Sequence, residues 1–504
     1  AEDLTLADTP GVAAPGLEIE KDIDKSYDYT NVKGYIISEG DYFITVGDDA
    51  HDALNNILAA KGADNLFDED GNRVSGDSDN VYTWAEEFDA DTYSVSRYTD
   101  EVVTNQFEDA DPNYWQDGTV TYLSRNDWQG TYPTAATQLT LTEEMIELLA
   151  GNFYQKSDDA LSVSDFTQGE NVEMPLAALI GLDYDDPAWE EYLNQFTVEE
   201  LAGLLSDNFG TTEITSVGKP ASVQDTCFPT EIVLAATFNK DLMYNRGKLM
   251  ANECMYLGIE EDWMPGINLH RTPFGGRNFE YYSEDAVMNY LCEIPEVVAM
   301  EERGVHAGAK HVVGNDQENN REGIAVFFNE QAFRETTLRT AEGAIAVAKG
   351  QALMHGFNRI GLVWCSENSA LCNQVIEKEW GFVGQQETDA VAGAAGTYKW
   401  HLTSCIAAGV DQFSLDFAGD VGRQVAAQIL DTDDGDLLQL VRKSAHDYLY
   451  TVANSSIMNG YSVDSKIVSV TPWWIPVMIC LIVVFAGLDI LFIFLMFKKR
   501  REQA

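Results

Sequence analysis

EEDWMPGINL (260–269), AGAKHVVGN (307–315), QALMHGFN (351–358) and AAGVDQFSLD (407–416) decide the fold. Each is a short apolar run of strand length that opens onto polar residues. Helical patterns separate them: PEVVAMEERG (295–304) and NEQAFRETTLRTAEGAIAVAKG (329–350). Strands alternating with helices predict βαβ units, hence a parallel sheet or a (β/α) barrel. EEMIELLAGNF (143–153), AWEEYLNQF (188–196) and TVEELAGLLSDNF (197–209) read as leading helices. EIVLAATFN (231–239) reads as a further short apolar run before the helix DLMYNRGKLMANECMYLG (241–258), and LLQLVRKSAHDYLYTVANSS (437–456) as the closing helix.

Working outward, the C-terminal end changes character. Residues 473–497 (WWIPVMICLIVVFAGLDILFIFLMF) are 25 mostly apolar residues followed at once by Lys498, Lys499, Arg500 and Arg501. That length crosses a hydrocarbon core of about 30 Å. The Trp pair belongs at one interface and the basic cluster on the cytoplasmic side. The reading is a transmembrane helix, with residues before about 470 outside the cytoplasm and an export signal removed or carried on a longer precursor. Asp489 inside the run reads as a tolerated polar residue near the inner leaflet.

The whole chain of 504 residues carries a formal charge of −52, of which −38 falls on residues 1–220. Such acidity excludes a general nucleic-acid binder, which needs a clustered basic surface. It also argues against docking of the folded surface on anionic lipid. A solvated exterior explains it. In the N-terminal part, Tyr35–Ile37 and residues 41–47 read as a hairpin or a pair of sheet strands, followed by a short helix over 51–62. Two strands bury no core alone, so a sheet from elsewhere is expected to complete them. DEDGNRVSGDSDN (68–80) reads as a solvated loop, because Arg73 and the missing bidentate Glu break the calcium-loop pattern. Cys227, Cys254, Cys292, Cys365, Cys372 and Cys405 form no CxxC pair and read as scattered buried thiols.

Three polar clusters sit where strand ends are expected: His270 to Asp285, Lys310 to Arg321, and Glu387 to Gly393. At the C-terminal mouth of a barrel they bring cations, amides and one isolated carboxylate together. Such a set suits a ligand rich in hydroxyls and a carboxylate that attacks or stabilises a cationic centre.

PGINLHRTPFGGRNFEYYSED, KHVVGNDQENNR, FNEQAFRE and KEWGFVGQQETDAVAG, in that order, resemble the N-terminal barrel domain of family 3 glycoside hydrolases. CFPTEIVLAATFN is similar to the same family near its start. The resemblance covers roughly residues 185–455, and the KHxxxNDQExxR form resembles the β-glucosidase branch. It implies that Asp389 is the catalytic nucleophile and that Arg277, Lys310, His311 and Arg321 grip the terminal sugar. It implies a retaining mechanism without metal or organic cofactor.

The chain departs from the family pattern at four points. The sugar-binding Asp of a DGP loop has only Asp225 as counterpart, in a loop that looks shortened. Phe357 stands where a Tyr commonly touches the nucleophile, and Ala390 where a Trp often follows it. The acid/base Glu of this branch comes from an α/β sandwich domain with no counterpart here, expected upstream in the precursor or on a partner chain. Residues 27–47 resemble the final strands of the fibronectin-III-like module of permuted family members, with 120–133 as their connecting segment.

The expected architecture is therefore α/β. A fibronectin-III-like fragment (1–60) and an acidic linker (61–138) precede a (β/α)8-type barrel, complete or incomplete (139–457). A polar tether (458–472), the transmembrane helix (473–497) and a basic cytoplasmic tail (498–504) follow. The expected function is an exo-acting β-glucosidase-type glycosidase at the outer face of a cell membrane. A catalytically degenerate, membrane-anchored sugar-binding protein is the alternative.

Overall fold

The computed structural model describes residues 26–36, 39–68, 70–87, 95–122, 136–171, 174–206, 228–416, 418–465 and 471–502. Asp225 and Cys227 lie outside them, as does most of the connecting segment 120–133. The chain divides into two units, Ala1–Asn459 and Gly460–Ala504.

The first unit opens with strands β1 (Ser26–Asp28) and β2 (Gly34–Ile36), paired antiparallel. β3 (Gly40–Thr45) follows, then the helix Ala50–Ala60, and then a hairpin of β4 (Leu66–Phe67) and β5 (Arg73–Val74). β6 (Val81–Glu86) returns antiparallel to β3. Of the two arrangements expected for these runs, a hairpin or a pair of sheet strands, the hairpin is excluded, since they belong to different sheets. The choice is made by cross-strand side chains: Tyr42 of β3 faces Trp84 of β6, the rings stacked at 5.2 Å, an arrangement that stabilises an antiparallel pair. The loop 68–80 is shaped by Asp68, whose carboxylate accepts the Asp70 and Asn72 N–H groups at the hairpin turn.

A buried arginine is one of the groups that fasten the first sheet to the rest of the unit. Arg334 is fully buried; it donates to Glu330 (2.7 Å) and Glu379 (2.7 and 3.0 Å), and its guanidinium lies 4.7 Å from the Tyr27 ring and 5.6 Å from that of Tyr35. Glu330 also accepts the Phe107 N–H at 2.7 Å, and Glu335 that of Tyr27 at 2.7 Å. Every charge is met by an opposite charge or a donor, the condition under which buried ions are tolerated.

The centre of the unit is a parallel sheet. β7 (Glu261–Asp262), β8 (His306–Val312), β10 (Ala352–His355), β13 (Gln385–Thr388) and β14 (Gln412–Phe413) lie side by side in chain order. Helices cross between them, among them Ala286–Glu301 before β8 and Leu402–Ala408 before β14. β9 (Ala325–Val326), β11 (Arg359–Ile360) and β12 (Val363–Trp364) form a separate small sheet on the loops. The parallel sheet curls: Ser206, which precedes β7 in the chain, bridges Phe413 of the last strand, with the Phe413 N–H on the Leu205 carbonyl at 2.9 Å. This is a TIM-like barrel, with five named strands and the Ser206 bridge among the described residues. The strands are buried on both faces, as parallel strands between helices are, and Ala309, Val312, Leu353 and Phe413 belong to one continuous core.

Two local expectations are revised. EIVLAATFN contains the helix Glu231–Ala235, because its buried residues Glu231, Leu234 and Ala235 recur at helical spacing. The helix preceding β8 begins at Ala286, capped by the Asp285 carboxylate on the Met288 N–H, and runs through Pro295 instead of starting there. It packs closely on the helix Lys240–Leu257, where Gly247 leaves no room for a side chain: a Cβ there meets the Glu296 carbonyl oxygen at 2.3 Å. Cys292, Cys365, Cys372 and Cys405 are free and buried, and Cys254 is buried as well, in keeping with scattered thiols.

The second unit contains one long helix, Trp474–Glu502, apolar along nearly all of its length before Lys498. Its length and composition suffice to cross a membrane.

Candidate active site

The residues that follow the parallel strands gather on one rim because every strand points the same way. Asp389 directly follows β13. Lys310 and His311 lie near the end of β8, Arg321 in the loop beyond it, Arg277 in the loop after β7, and Phe357 just after β10. The chain separates Arg277 from Asp389 by more than a hundred residues; the shared strand direction removes that separation.

Asp389 is mostly buried, and its Oδ1 accepts the Ala390 N–H at 2.7 Å. Burial pushes its carboxyl above the ordinary aspartate value, while the Ala390 N–H and the charges of Arg321, Lys310 and Arg277 pull it back. Its Oδ2 stands 3.6 Å from His311 Nε2. That nitrogen faces Arg277 Nη1 at 3.1 Å. Arginine only donates, so Nε2 is the acceptor and the imidazole proton sits on Nδ1. Burial, then Arg277, Lys310 and Arg321, hold His311 well below the ordinary histidine value, so it is neutral.

Two carboxylates not singled out from the sequence orient the cations. Glu280 accepts from Arg277, and Glu318 lies 3.3 Å from Arg321 and 4.0 Å from Arg277. Asn315 Nδ2 donates to Glu318 (3.1 Å) and to the Tyr281 hydroxyl (3.2 Å). The buried Phe357 ring carries a cation on two sides, Arg321 at 4.9 Å and Lys399 at 4.4 Å. Glu280, Tyr281, Asn315 and Glu318 stood inside stretches already quoted, but only the folded loops show which cation each meets. Lys399 lies in no such stretch; nothing in its local sequence marks it.

The rim therefore brings together Asp389, Arg277, Lys310, His311, Arg321 and Phe357. A partly shielded carboxylate faces cations and a neutral imidazole. Chemically this set binds hydroxyl oxygens through charge-assisted hydrogen bonds and holds one carboxylate ready to meet positive charge at carbon.

Fold and rim together define a parallel-barrel protein with a mostly buried, cation-faced carboxylate at its strand ends. Residues 214–433 match the glycosyl hydrolase family 3 N-terminal domain. Over that stretch the chain is similar to known β-glucosidases. It is 36% identical over 189 residues to "Probable beta-glucosidase J" of Emericella nidulans, covering 38% of this chain and 22% of the relative. To a "Beta-glucosidase" of Rhizobium radiobacter it is 30% identical over 220 residues, covering 40% of this chain and 27% of the relative. The chain thus spans about a quarter of the length of these curated relatives. The crystal structure of a β-glucosidase from Paenibacillus barengoltzii superposes with a TM-score of 0.59 at 20% identity, covering 89% of this chain and 47% of that one, which extends the fold likeness beyond the barrel.

Proposed function

We propose that the chain supplies the barrel half of an exo-acting, retaining β-glycosidase of the β-glucosidase type. Asp389 is its nucleophile, and Arg277, Lys310, His311 and Arg321 grip the terminal sugar, with Phe357 and Asp225 as further substrate-binding residues. The observation that carries this reading is Asp389 at a strand end, shielded from water and faced by three cations and a neutral imidazole. In a retaining reaction the carboxylate adds to the anomeric carbon, a second carboxyl about 5–5.5 Å away protonates the leaving oxygen, and water then releases the sugar. The second carboxyl is assigned to an α/β sandwich domain of the same precursor or of a partner chain. The N-terminal strands are read as part of a fibronectin-III-like module that accompanies it. Replacing Asp389 by Asn and assaying an aryl β-glucoside in the presence of that domain tests the assignment. Turnover is expected to fall by several orders of magnitude; undiminished turnover removes Asp389 from the mechanism.

The second reading, a sugar-binding protein without turnover, is favoured by Phe357 and Ala390 at the positions where the family usually has a Tyr and a Trp. Glucose binding by titration calorimetry, with no hydrolysis by the full precursor, decides for it. In either case the apolar helix is proposed as a single-pass anchor with Lys498 to Arg501 in the cytoplasm and the barrel outside. Protection of the C-terminal tail from protease in intact cells is the expected result.

A further inference from the structure

His311 is the least conventionally held residue of the rim. Upstream of it the loop after β7 runs beside β8 as a short ladder: the Lys310 N–H donates to the Pro265 carbonyl at 3.0 Å, and the Ile267 N–H to the Lys310 carbonyl at 2.7 Å. At His311 the ladder is continued by a side chain. Asn268 Oδ1 accepts the His311 N–H at 3.0 Å, and Asn268 Nδ2 donates to the His311 carbonyl at 2.9 Å. Both backbone groups of one residue are thus closed by one planar amide, while the imidazole of that residue meets Arg277 and stands beside Asp389.

Asn268 is itself held from behind. Asn289, on the helix Ala286–Glu301, donates to the Ile267 and Asn268 carbonyls at 3.3 Å each, and Asp316 accepts the Leu269 N–H at 2.9 Å. Asn268 and Asn289 are both fully shielded from water. Among side chains of this reach only asparagine offers one donor and one acceptor in a plane that matches a peptide. Aspartate keeps the acceptor and loses the donor; leucine keeps the bulk and loses both.

We infer that Asn268 is a positioning residue: by clamping the backbone of His311 it fixes where the imidazole meets Arg277 and Asp389. The inference rests on the proposed glycosidase reading for its kinetic consequence, but not for its structural one. A misplacement of an ångström at such a site costs up to about a hundredfold in rate.

The test uses the full chain in detergent, labelled with ¹⁵N-histidine, as the parent and as Asn268→Asp, Asn268→Leu and Asn289→Ala. The parent is expected to show His311 as one neutral tautomer with its proton on Nδ1. Both Asn268 variants should lose that single state, and Asn289→Ala, which loosens the clamp from behind, should shift the same resonance less. Aryl β-glucoside kinetics, measured with the sandwich domain present, should fall about 10–100-fold in kcat with a smaller change in KM. A folded Asn268 variant that keeps the parent His311 spectrum overturns the inference, as does an altered spectrum with unaltered kcat. If the parent itself shows no hydrolysis, the glycosidase reading fails while the His311 spectra still decide the clamp.

Discussion

At the scale of single residues, the chemistry turns on keeping one carboxylate ionised in a place that disfavours it. Burial lifts Asp389, and the Ala390 N–H with three cations only partly offsets it. In its proposed role as nucleophile Asp389 must be deprotonated, so the acid limb of kcat/KM should lie above the ordinary aspartate range, with activity falling as pH drops through the raised value. Neutralising Arg321, as Arg321→Met, removes one of the opposing charges and should move that limb further up, while also weakening sugar binding. A pH profile of the parent and the variant measures both; a limb that does not move separates Arg321 from Asp389. The gathering of these residues on one rim was legible in the sequence for a simple reason. Parallel strands deliver whatever follows them to one rim, so recognising strand ends was enough to bring Lys310, His311 and Asp389 together. Lys399 and the clamp at Asn268 were not legible, since they depend on register and on how two loops fold back.

At the scale of elements, the weak points of the reading were short segments whose partners lie far along the chain. β3 chooses β6, not β2, through side-chain pairs that no local pattern announces. The helix at Glu231–Ala235 is too short for its period to be told from that of a buried strand. The helices Lys240–Leu257 and Gly435–Asn454 were legible, because several turns of period fix their inner faces, whereas only the second half of Ala286–Glu301 was. Their packing carries a prediction. With the Glu296 carbonyl in the way of any Cβ, Gly247→Ala must push the helices Lys240–Leu257 and Ala286–Glu301 apart. The expected loss is about 1–3 kcal/mol, since backbone cannot swing aside as a flexible side chain does. Denaturant unfolding measures it, and unchanged stability would show that the pair slides freely. The same displacement reaches Asn289 on the second helix, so catalysis should suffer with stability.

At the scale of the whole molecule, charge is placed where it holds units of the fold together. Arg334→Met strips the buried Glu330 and Glu379 of their shared cation and should cost about 3–5 kcal/mol, releasing β1 and β2 before the barrel melts. Limited proteolysis near residue 26 should report it; an N-terminus as resistant as in the parent would contradict it. His306 sets a pH dependence. Its Nε2 faces the Thr451 carbonyl at 2.9 Å and its Nδ1 the Glu301 carboxylate at 2.8 Å, so it is held as the cation. Burial opposes the charge, but Glu301 and these hydrogen bonds outweigh it and raise the value above 6.5. The folded state therefore holds the proton more tightly than the unfolded chain. Its contribution is complete below the unfolded value and is lost as pH rises through the folded one. Melting temperature should decline across that window in the parent and less steeply in His306→Gln.

The bridge between Ser206 and Phe413 has a consequence in time. The barrel's first segment leaves the ribosome long before its neighbour in the sheet exists. At about 5–20 residues per second, the 207 residues between them take about 10–40 s to be made. Throughout that interval the Leu205 carbonyl and the apolar side chains beside it have no strand to meet. A nascent chain halted before Phe413 should accordingly bind a holdase chaperone, and one extended past the helix Gly435–Asn454 should not.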